Sequence, residues 1–141
     1  MLALAMASTA QLALGLIGLR KALRDGTVYD VWKLKGDPER IRRDQWVLGT
    51  GLSASGLMLI LQGAATAGLL SRRTRRAAAK TLGILGAIMC GGYPAEKTIR
   101  QAWQGKSPDR SVMPLTAAAT GLAAVMAVLG RHEAELAPKD R

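Results

Sequence analysis

The longest charge-free stretch of the chain, residues 47–70, constrains the fold most strongly. It contains 24 residues and no Asp, Glu, Lys or Arg. As one continuous α-helix it would measure about 36 Å, and the hydrocarbon core of a bilayer is about 30 Å thick. Asp37 is a favourable N-cap and Pro38 suits the first helical turn. We therefore predict a membrane helix with a charged, capped extension.

Three more apolar stretches have lengths typical of membrane spans. Residues 2–19 and 111–130 contain no charged side chain, and residues 77–95 contain only Lys80, whose ammonium group can reach the bilayer surface. An amphipathic soluble helix would present a polar face, and these stretches do not. The predicted fold is an all-α integral membrane protein with four transmembrane helices in a compact bundle, at about residues 2–23, 47–70, 77–95 and 111–130.

The segments between these spans carry most of the charges. Residues 20–46 form the predicted first loop and residues 96–110 the third, and each is expected to include a short helical segment in the headgroup layer. Residues 131–141 are a charged tail that we expect to be mobile. The chain is one membrane domain. Four aromatic residues are predicted interfacial anchors: Tyr29, Trp32, Trp46 and Trp103.

The distribution of charge bears on topology. Lys and Arg number 12 on the side of loops one and three and 8 on the side of the termini and loop two, which places loops one and three in the cytoplasm and both termini outside. The basic string at residues 71–76 argues the other way, so an inverted or dual topology stays open. A signal peptide carries positive charge before its apolar core, whereas here Arg20 and Lys21 follow it, so we expect an uncleaved first span. A cleaved signal is the alternative.

Composition restricts the partners and cofactors. A net charge of +10 is compatible with nucleic acid, but the basic residues flank apolar stretches, where anionic lipid headgroups are the nearer partner. We expect no nucleic-acid partner, whereas a membrane-protein partner or a second copy of the chain remains a candidate. A single cysteine, Cys90, and a single histidine, His132, exclude an intrachain disulfide, a bis-histidine haem and a His-rich metal site. No cofactor is expected.

A cluster of arginines precedes the second span. Arg40, Arg42 and Arg43 lie beside Asp44, and guanidinium groups suit bidentate contacts with phosphate, so this cluster is a candidate headgroup site. In the alternative interpretation, which we favour, these residues cap the helix, pair with nearby acids and set the topology.

The string CGGYPAE at residues 90–96 is the other candidate. Two glycines and a proline near a membrane exit permit non-helical backbone around a cavity. Tyr93 and Glu96 would line this cavity, with Glu96 as a proton carrier or a general acid or base. The alternative, which we favour, is a helix end with an interfacial tyrosine and a solvated glutamate.

Small and polar residues inside the spans predict helix packing. Gly49, Ser53, Gly56 and Gly63 favour close approach of helix backbones in lipid. Gln11, Gln62 and Thr66 are expected to hydrogen-bond, either across helices or to backbone carbonyls, rather than to line a polar path.

The sequence predicts a small polytopic membrane protein, a non-enzymatic accessory protein or complex subunit. Its basic, aromatic-rich face would contact lipid headgroups or a partner protein. The uninterrupted apolar runs hold no charged residue of the kind used for ion or proton transport. The alternative is a small membrane enzyme or carrier for a lipid or other hydrophobic molecule, with a cavity near Tyr93, Glu96 and Arg43.

Overall fold

The all-α prediction is confirmed by a computed structural model, which describes residues 1–31 and 34–137. Two short antiparallel strands, β1 Asp30–Val31 and β2 Leu34–Lys35, and a 3-10 turn at Pro38–Arg40 follow the first helix. Helices form the rest of the regular structure: α1 Leu2–Asp25, α2 Ile41–Asp44, α3 Gly56–Gly68, α4 Arg75–Ala95, α5 Lys97–Trp103 and α6 Val112–Leu136.

The helix predicted over residues 47–70 is not continuous, and this is the largest correction. Asp37 does cap the first turn, since its carboxylate accepts the Glu39 N–H at 3.0 Å, but α2 ends at Asp44. The chain then turns over residues 45–55, with Gly49 in the left-handed region at φ +80°, and α3 begins behind Ser55, whose hydroxyl accepts the Met58 N–H. Glycine and serine are poor residues for a helix interior, which explains the break.

The tail prediction is also corrected. Helix α6 continues to Leu136, so residues 131–136 of the predicted mobile tail are helical. Arg131 and Glu135 form an ion pair at 3.2 Å one turn apart, which supports the added turn. Residues 138–141 lie outside the described part of the chain.

The longer helices pack as antiparallel neighbours. Helix α4 packs against α6 and α3, and α1 packs against α6 and α3. The amino group of Met1 pairs with Glu133 near the end of α6, whereas Lys21 near the end of α1 pairs with Asp109 just before α6. The turn at residues 45–55 and helix α5 therefore lie at one end, which we call the loop end. The start of α1, the turn between α3 and α4 and the last turn of α6 lie at the other, which we call the terminal end.

Two of the described helices, α1 and α6, are long and apolar enough to cross a membrane. Only 33% of the apolar window of α1 and 28% of that of α6 are buried, whereas the core helix of a soluble protein is mostly buried. The four-span prediction is not confirmed, because α3 has only 13 residues and α4 includes Arg75, Arg76 and Lys80 in its first turns.

The closest helix contact is made by glycines that the sequence did not single out. A methyl group added at Gly86 of α4 would lie 2.5 Å from the carbonyl oxygen of Ala123 and 2.6 Å from the nitrogen of Ala127, both on α6. One turn away, Gly83 and Gly130 face each other, and a methyl group on Gly130 would collide with the Gly83 backbone. The α4 and α6 backbones are therefore in direct contact.

The four residues predicted to bring helices close together make contacts of other kinds. Gly49 forms the turn, and Gly56 gives space to the Trp46 ring, which would lie 2.8 Å from an added methyl group. Ser53 does join two elements, since its hydroxyl donates to the Gly15 carbonyl of α1 at 2.8 Å. Gly63 meets only the Leu12 side chain, at an ordinary 3.7 Å. Small-residue spacing along a helix face therefore does not explain the contacts of Gly49 and Ser53, because neither residue is helical.

We predict that Gly86→Ala destabilises the protein. The added methyl group must displace backbone atoms of α6, and such overpacking costs about 1–3 kcal/mol. Thermal unfolding in detergent, followed by circular dichroism, measures the effect. Gly91→Ala is the matched control in the same helix, because no atom lies within 4 Å of its added methyl group. Equal melting temperatures for the two variants would contradict the close contact.

Candidate functional site

A cavity of about 210 Å³ lies at the loop end. Its walls come from the turn at residues 45–55, the start of α3, the last turns of α4 and the start of α5. We call it the loop-end cavity. The residues that matter for its chemistry are Thr50, Ser55, Met58, Met89, Tyr93 and Glu96.

Local sequence explains why Tyr93 and Glu96 both line this cavity. Helix α4 stays helical through Ala95 despite Pro94, as the predicted span at residues 77–95 requires, and the non-helical backbone that the cavity interpretation permits is not formed there. Glu96 then takes an extended conformation, with φ −70° and ψ 126°, and α5 starts at the next residue. Gly91 and Gly92 have no atom within 4 Å of an added methyl group, so they open space on the α4 surface rather than unwinding it.

Glu96 is buried at the cavity edge, with 8% of its surface exposed, and is not the solvated side chain of the favoured alternative. One carboxylate oxygen accepts the Asp30 backbone N–H at 2.9 Å. Burial raises the pKa of Glu96 above its ordinary value, and the Asp30 charge acts in the same direction. The Asp30 backbone hydrogen bond and the Arg100 charge oppose the rise in pKa without cancelling it. The cavity therefore contains an acid that favours its neutral form more than an exposed glutamate does.

Tyr93 connects the cavity wall to a buried chain of polar side chains. Its hydroxyl accepts a hydrogen bond from the Gln11 amide at 3.3 Å, and the Gln11 carbonyl accepts one from Gln62 at 2.8 Å. Gln62 also donates to the Ser8 carbonyl at 2.9 Å, and the Ser8 hydroxyl lies 2.7 Å from that of Thr66. The predicted bonding of Gln11, Gln62 and Thr66 across helices is confirmed. Among the described residues, the side-chain amide oxygen of Gln62 is one of the buried polar atoms without a hydrogen-bond partner.

The arginine cluster lies apart from the cavity. Arg40, Arg42 and Arg43 are exposed and none lines the cavity. Arg43 pairs with Asp44 at 3.2 Å, as expected if the arginines of the cluster pair with nearby acids. The structure therefore brings Tyr93 and Glu96 together and leaves Arg43 outside their cavity. Helix α2 has only four residues and buries Ile41, which leaves its arginines on the outer face.

The predicted anchors occupy varied positions. Trp46 is exposed, and Trp103 is partly exposed while its indole N–H donates to the Thr116 hydroxyl at 3.0 Å. Tyr29 is half-buried against Gly36. Trp32 lies outside the described residues. Their role as membrane anchors stays a prediction.

Sequence reasoning missed the cavity walls at residues 50–58. It placed Thr50 and Ser55 inside a membrane helix, where their side chains would point to different faces. The density of glycine and serine before residue 56 is the feature of the sequence that indicates a turn, and the same residues also suit close helix packing.

Comparison of the chain with known protein families, with characterised proteins and with solved structures finds no match. The chemistry of the site therefore rests on its own residues. Across residues 1–31 and 34–137, no three His, Cys, Asp or Glu side chains are placed to hold a metal ion. One buried carboxyl group, nearby hydroxyls and apolar walls suit a small apolar molecule that donates a hydrogen bond.

We predict that Glu96 makes stability depend on pH. Because its pKa is raised in the folded state, the folded protein binds this proton more tightly than the unfolded chain does. The stabilisation is complete below the unfolded pKa of about 4.5 and is lost as pH rises through the folded value. Melting temperatures of the wild type and Glu96→Gln, measured against pH, should therefore diverge over this window, with the wild type falling relative to the variant.

Asp109 supplies the control for this experiment. Hydrogen bonds from Lys21 and Ser111 lower the pKa of Asp109, so its stabilising effect is lost as pH falls rather than as it rises. Asp109→Asn should change the acid side of the profile and leave the Glu96 window intact. Parallel curves for the wild type and Glu96→Gln would contradict the raised pKa.

Proposed function

We propose that the protein is an integral membrane protein with four membrane-inserted segments, formed by α1, residues 47–70, α4 and α6. The observation that carries this proposal is the inverted distribution of polarity. The middle turns of the helices expose Leu16, Ile60, Ile88 and Val125, whereas Gln11 and Gln62 are fully buried. A soluble protein buries its large aliphatic side chains and rarely exposes a continuous apolar surface of this kind.

The ends of the molecule support the same proposal. Exposed residues in the middle of each long helix carry no charge, and the charged side chains lie at the loop end and the terminal end. In the proposed location, Lys and Arg lie at the level of lipid headgroups on both sides. The apolar surface between the ends then faces hydrocarbon.

The short helix α3 is compatible with insertion because residues 49–53 and 55 of the turn before it are buried within the protein. The Gly56 N–H donates to the Gln45 carbonyl at 2.9 Å, and the Leu57 N–H donates to the Trp46 carbonyl at 3.1 Å. Leu52 and Ser53 are buried against Gly18 of α1. Non-helical backbone is tolerated at membrane depth where protein surrounds it.

Within this membrane location, we propose a non-catalytic accessory protein or complex subunit. Its contact surface is the loop end, where exposed Arg42 and Arg43 are followed, after Asp44 and Gln45, by exposed Trp46, Val47 and Leu48. Cationic side chains beside an exposed apolar turn suit a headgroup layer or a membrane-protein partner.

We predict that Lys35 and Thr74 lie on opposite sides of the membrane. Both are exposed, at the loop end and the terminal end respectively. In a Cys90→Ser background, Lys35→Cys and Thr74→Cys are exposed separately to a membrane-impermeant thiol reagent on intact cells. Labelling of Thr74→Cys alone is the expected result, with loops one and three in the cytoplasm.

The other outcomes of this experiment are informative. Labelling of Lys35→Cys alone reverses the orientation, and partial labelling of both indicates dual topology. Carbonate washing of isolated membranes is the companion measurement. Release of the protein into the supernatant would refute membrane insertion.

A second candidate function is a carrier or binding protein for a small hydrophobic molecule. The loop-end cavity favours it, because Glu96 borders the cavity rather than facing water. Its volume of about 210 Å³ lies below the range of roughly 300–1,000 Å³ that is usual for drug-sized ligands. The cavity therefore suits a compact apolar molecule or part of an acyl chain.

We predict that Gly92→Phe blocks this cavity. Gly92 lines the cavity and has room for a side chain, so a phenyl ring there occupies the space a ligand would use. A photoactivatable alkyl diazirine is the probe, and mass spectrometry maps the labelled peptides. Labelling around Met58 and Met89 should be present in the wild type and lost in Gly92→Phe.

Gly91→Phe is the matched control, because Gly91 is equally open but does not line the cavity. It should keep the labelling pattern of the wild type. Unchanged labelling in Gly92→Phe would exclude the cavity as the binding site.

A further inference from the structure

A groove of about 1120 Å³ runs along the α4–α6 contact at the terminal end, opposite the loop-end cavity. Its floor exists because Gly83 and Gly130 bring the two backbones together, and its sides include Ile84 of α4 and Val128 of α6. We call it the terminal groove. It is open along one side, on the surface that the proposed membrane location places against lipid.

Polarity changes along the terminal groove in one direction. At the terminal end it is lined by Arg76, Lys80, Arg131 and His132. Toward the middle of the molecule both helices contribute only apolar lining residues, such as Ala87 and Ala127. Arg76, Lys80, Ile84 and Ala87 are spaced by three or four residues, which places them on one face of α4. The groove can therefore contact both a charged headgroup and an apolar chain along about 16 Å of α4.

The cations are partly engaged already. The Arg76 Nε donates to the Ala134 carbonyl at 3.3 Å, which fixes its guanidinium at the groove, and Arg131 pairs with Glu135 at 3.2 Å. Within the described residues Lys80 forms no ion pair, although it is exposed at the groove. Three permanent cations therefore face one lining carboxylate, and the excess positive charge favours an anion.

We propose that the terminal groove binds one anionic phospholipid from the surrounding bilayer. Its phosphate lies among Arg76, Lys80 and Arg131, and one acyl chain runs along the apolar floor past Ala87 and Ala127. This inference rests on the membrane location proposed above. Free phosphate would use the cations and leave the apolar floor unoccupied, and a second copy packed in the same orientation would bring the same excess of Lys and Arg to this end.

Native mass spectrometry of the detergent-solubilised full chain tests the proposal. The probes are phosphatidylglycerol and phosphatidylcholine with identical acyl chains, added separately. One phosphatidylglycerol per protein should bind at least tenfold more tightly than phosphatidylcholine. Lys80→Gln combined with Arg131→Gln should weaken its binding by about tenfold or more, which corresponds to about 1.4 kcal/mol.

Arg72→Gln combined with Arg73→Gln is the charge-matched control, because both residues are exposed at the same end but outside the groove. It should change the affinity by less than about threefold, since general attraction of anionic lipid is modest per charge. An equal loss of binding in both double variants would show diffuse attraction and overturn the proposal. Equal binding of the two lipids in the wild type would overturn it as well.

Ala87→Trp tests the apolar floor. Ala87 is exposed in the groove, and a bulky ring there should reduce phosphatidylglycerol binding by about tenfold, whereas Ala64→Trp on the exposed face of α3 should not. If inorganic phosphate displaces phosphatidylglycerol equally well from Ala87→Trp and from the wild type, the groove is a simple phosphate site. Loss of a dimer in Ala87→Trp would indicate an interface between copies. Either result overturns the proposal.

The membrane location can fail separately. Release of the protein by carbonate would refute the membrane location and, with it, the lipid site. Protein that stays in membranes without selective phosphatidylglycerol binding refutes only the lipid site.

Discussion

The direct contact between the α4 and α6 backbones organises the rest of the structure. Gly83, Gly86 and Gly130 lack side chains at the points of contact and allow the two helices to approach until backbone atoms touch. In lipid, where the hydrophobic effect does not drive helices together, this kind of packing is a main source of association. Helix α1 then packs on α6 and α3 on α4, so the positions of both remaining long elements depend on the glycine contact.

Buried polar side chains select how the helices are aligned against one another. Small residues give close contact but little specificity, since an Ala- and Gly-rich face fits many partners. The hydrogen bonds from Gln62 to Ser8 and Gln11, and from Gln11 to Tyr93, allow one register of α1 against α3 and α4. Each of these amides would be costly to leave without a partner in an apolar interior. The buried polar chain therefore selects one arrangement among several that the small residues allow.

Local chemistry could be predicted from the sequence, and long-range contacts could not. The cap at Asp37 and the helices at residues 2–23 and 111–130 depend on neighbouring residues, and the structure contains them. The turn at residues 45–55 depends on the Ser53 bond to Gly15, a partner 38 residues away, and hydropathy contains no trace of it. For the same reason the residues Tyr93 and Glu96 stood out in the sequence, while the opposite wall of their cavity did not. The α4–α6 glycines were indistinguishable from the other glycines until the partner backbone was known.

The turn before α3 competes with a continuous helix over the same residues. In the proposed membrane location, the two forms differ in how they satisfy the backbone groups of residues 47–55. An isolated chain in hydrocarbon can satisfy its backbone groups only as a helix, and this stretch has about 36 Å of helical length available. The folded chain instead uses 13 of these residues in α3 and folds residues 47–55 against α1. In the proposed membrane location, residues 47–55 therefore rely on contacts with other parts of the chain, such as the Ser53 bond to Gly15 of α1, to hold a form that the isolated segment would not take.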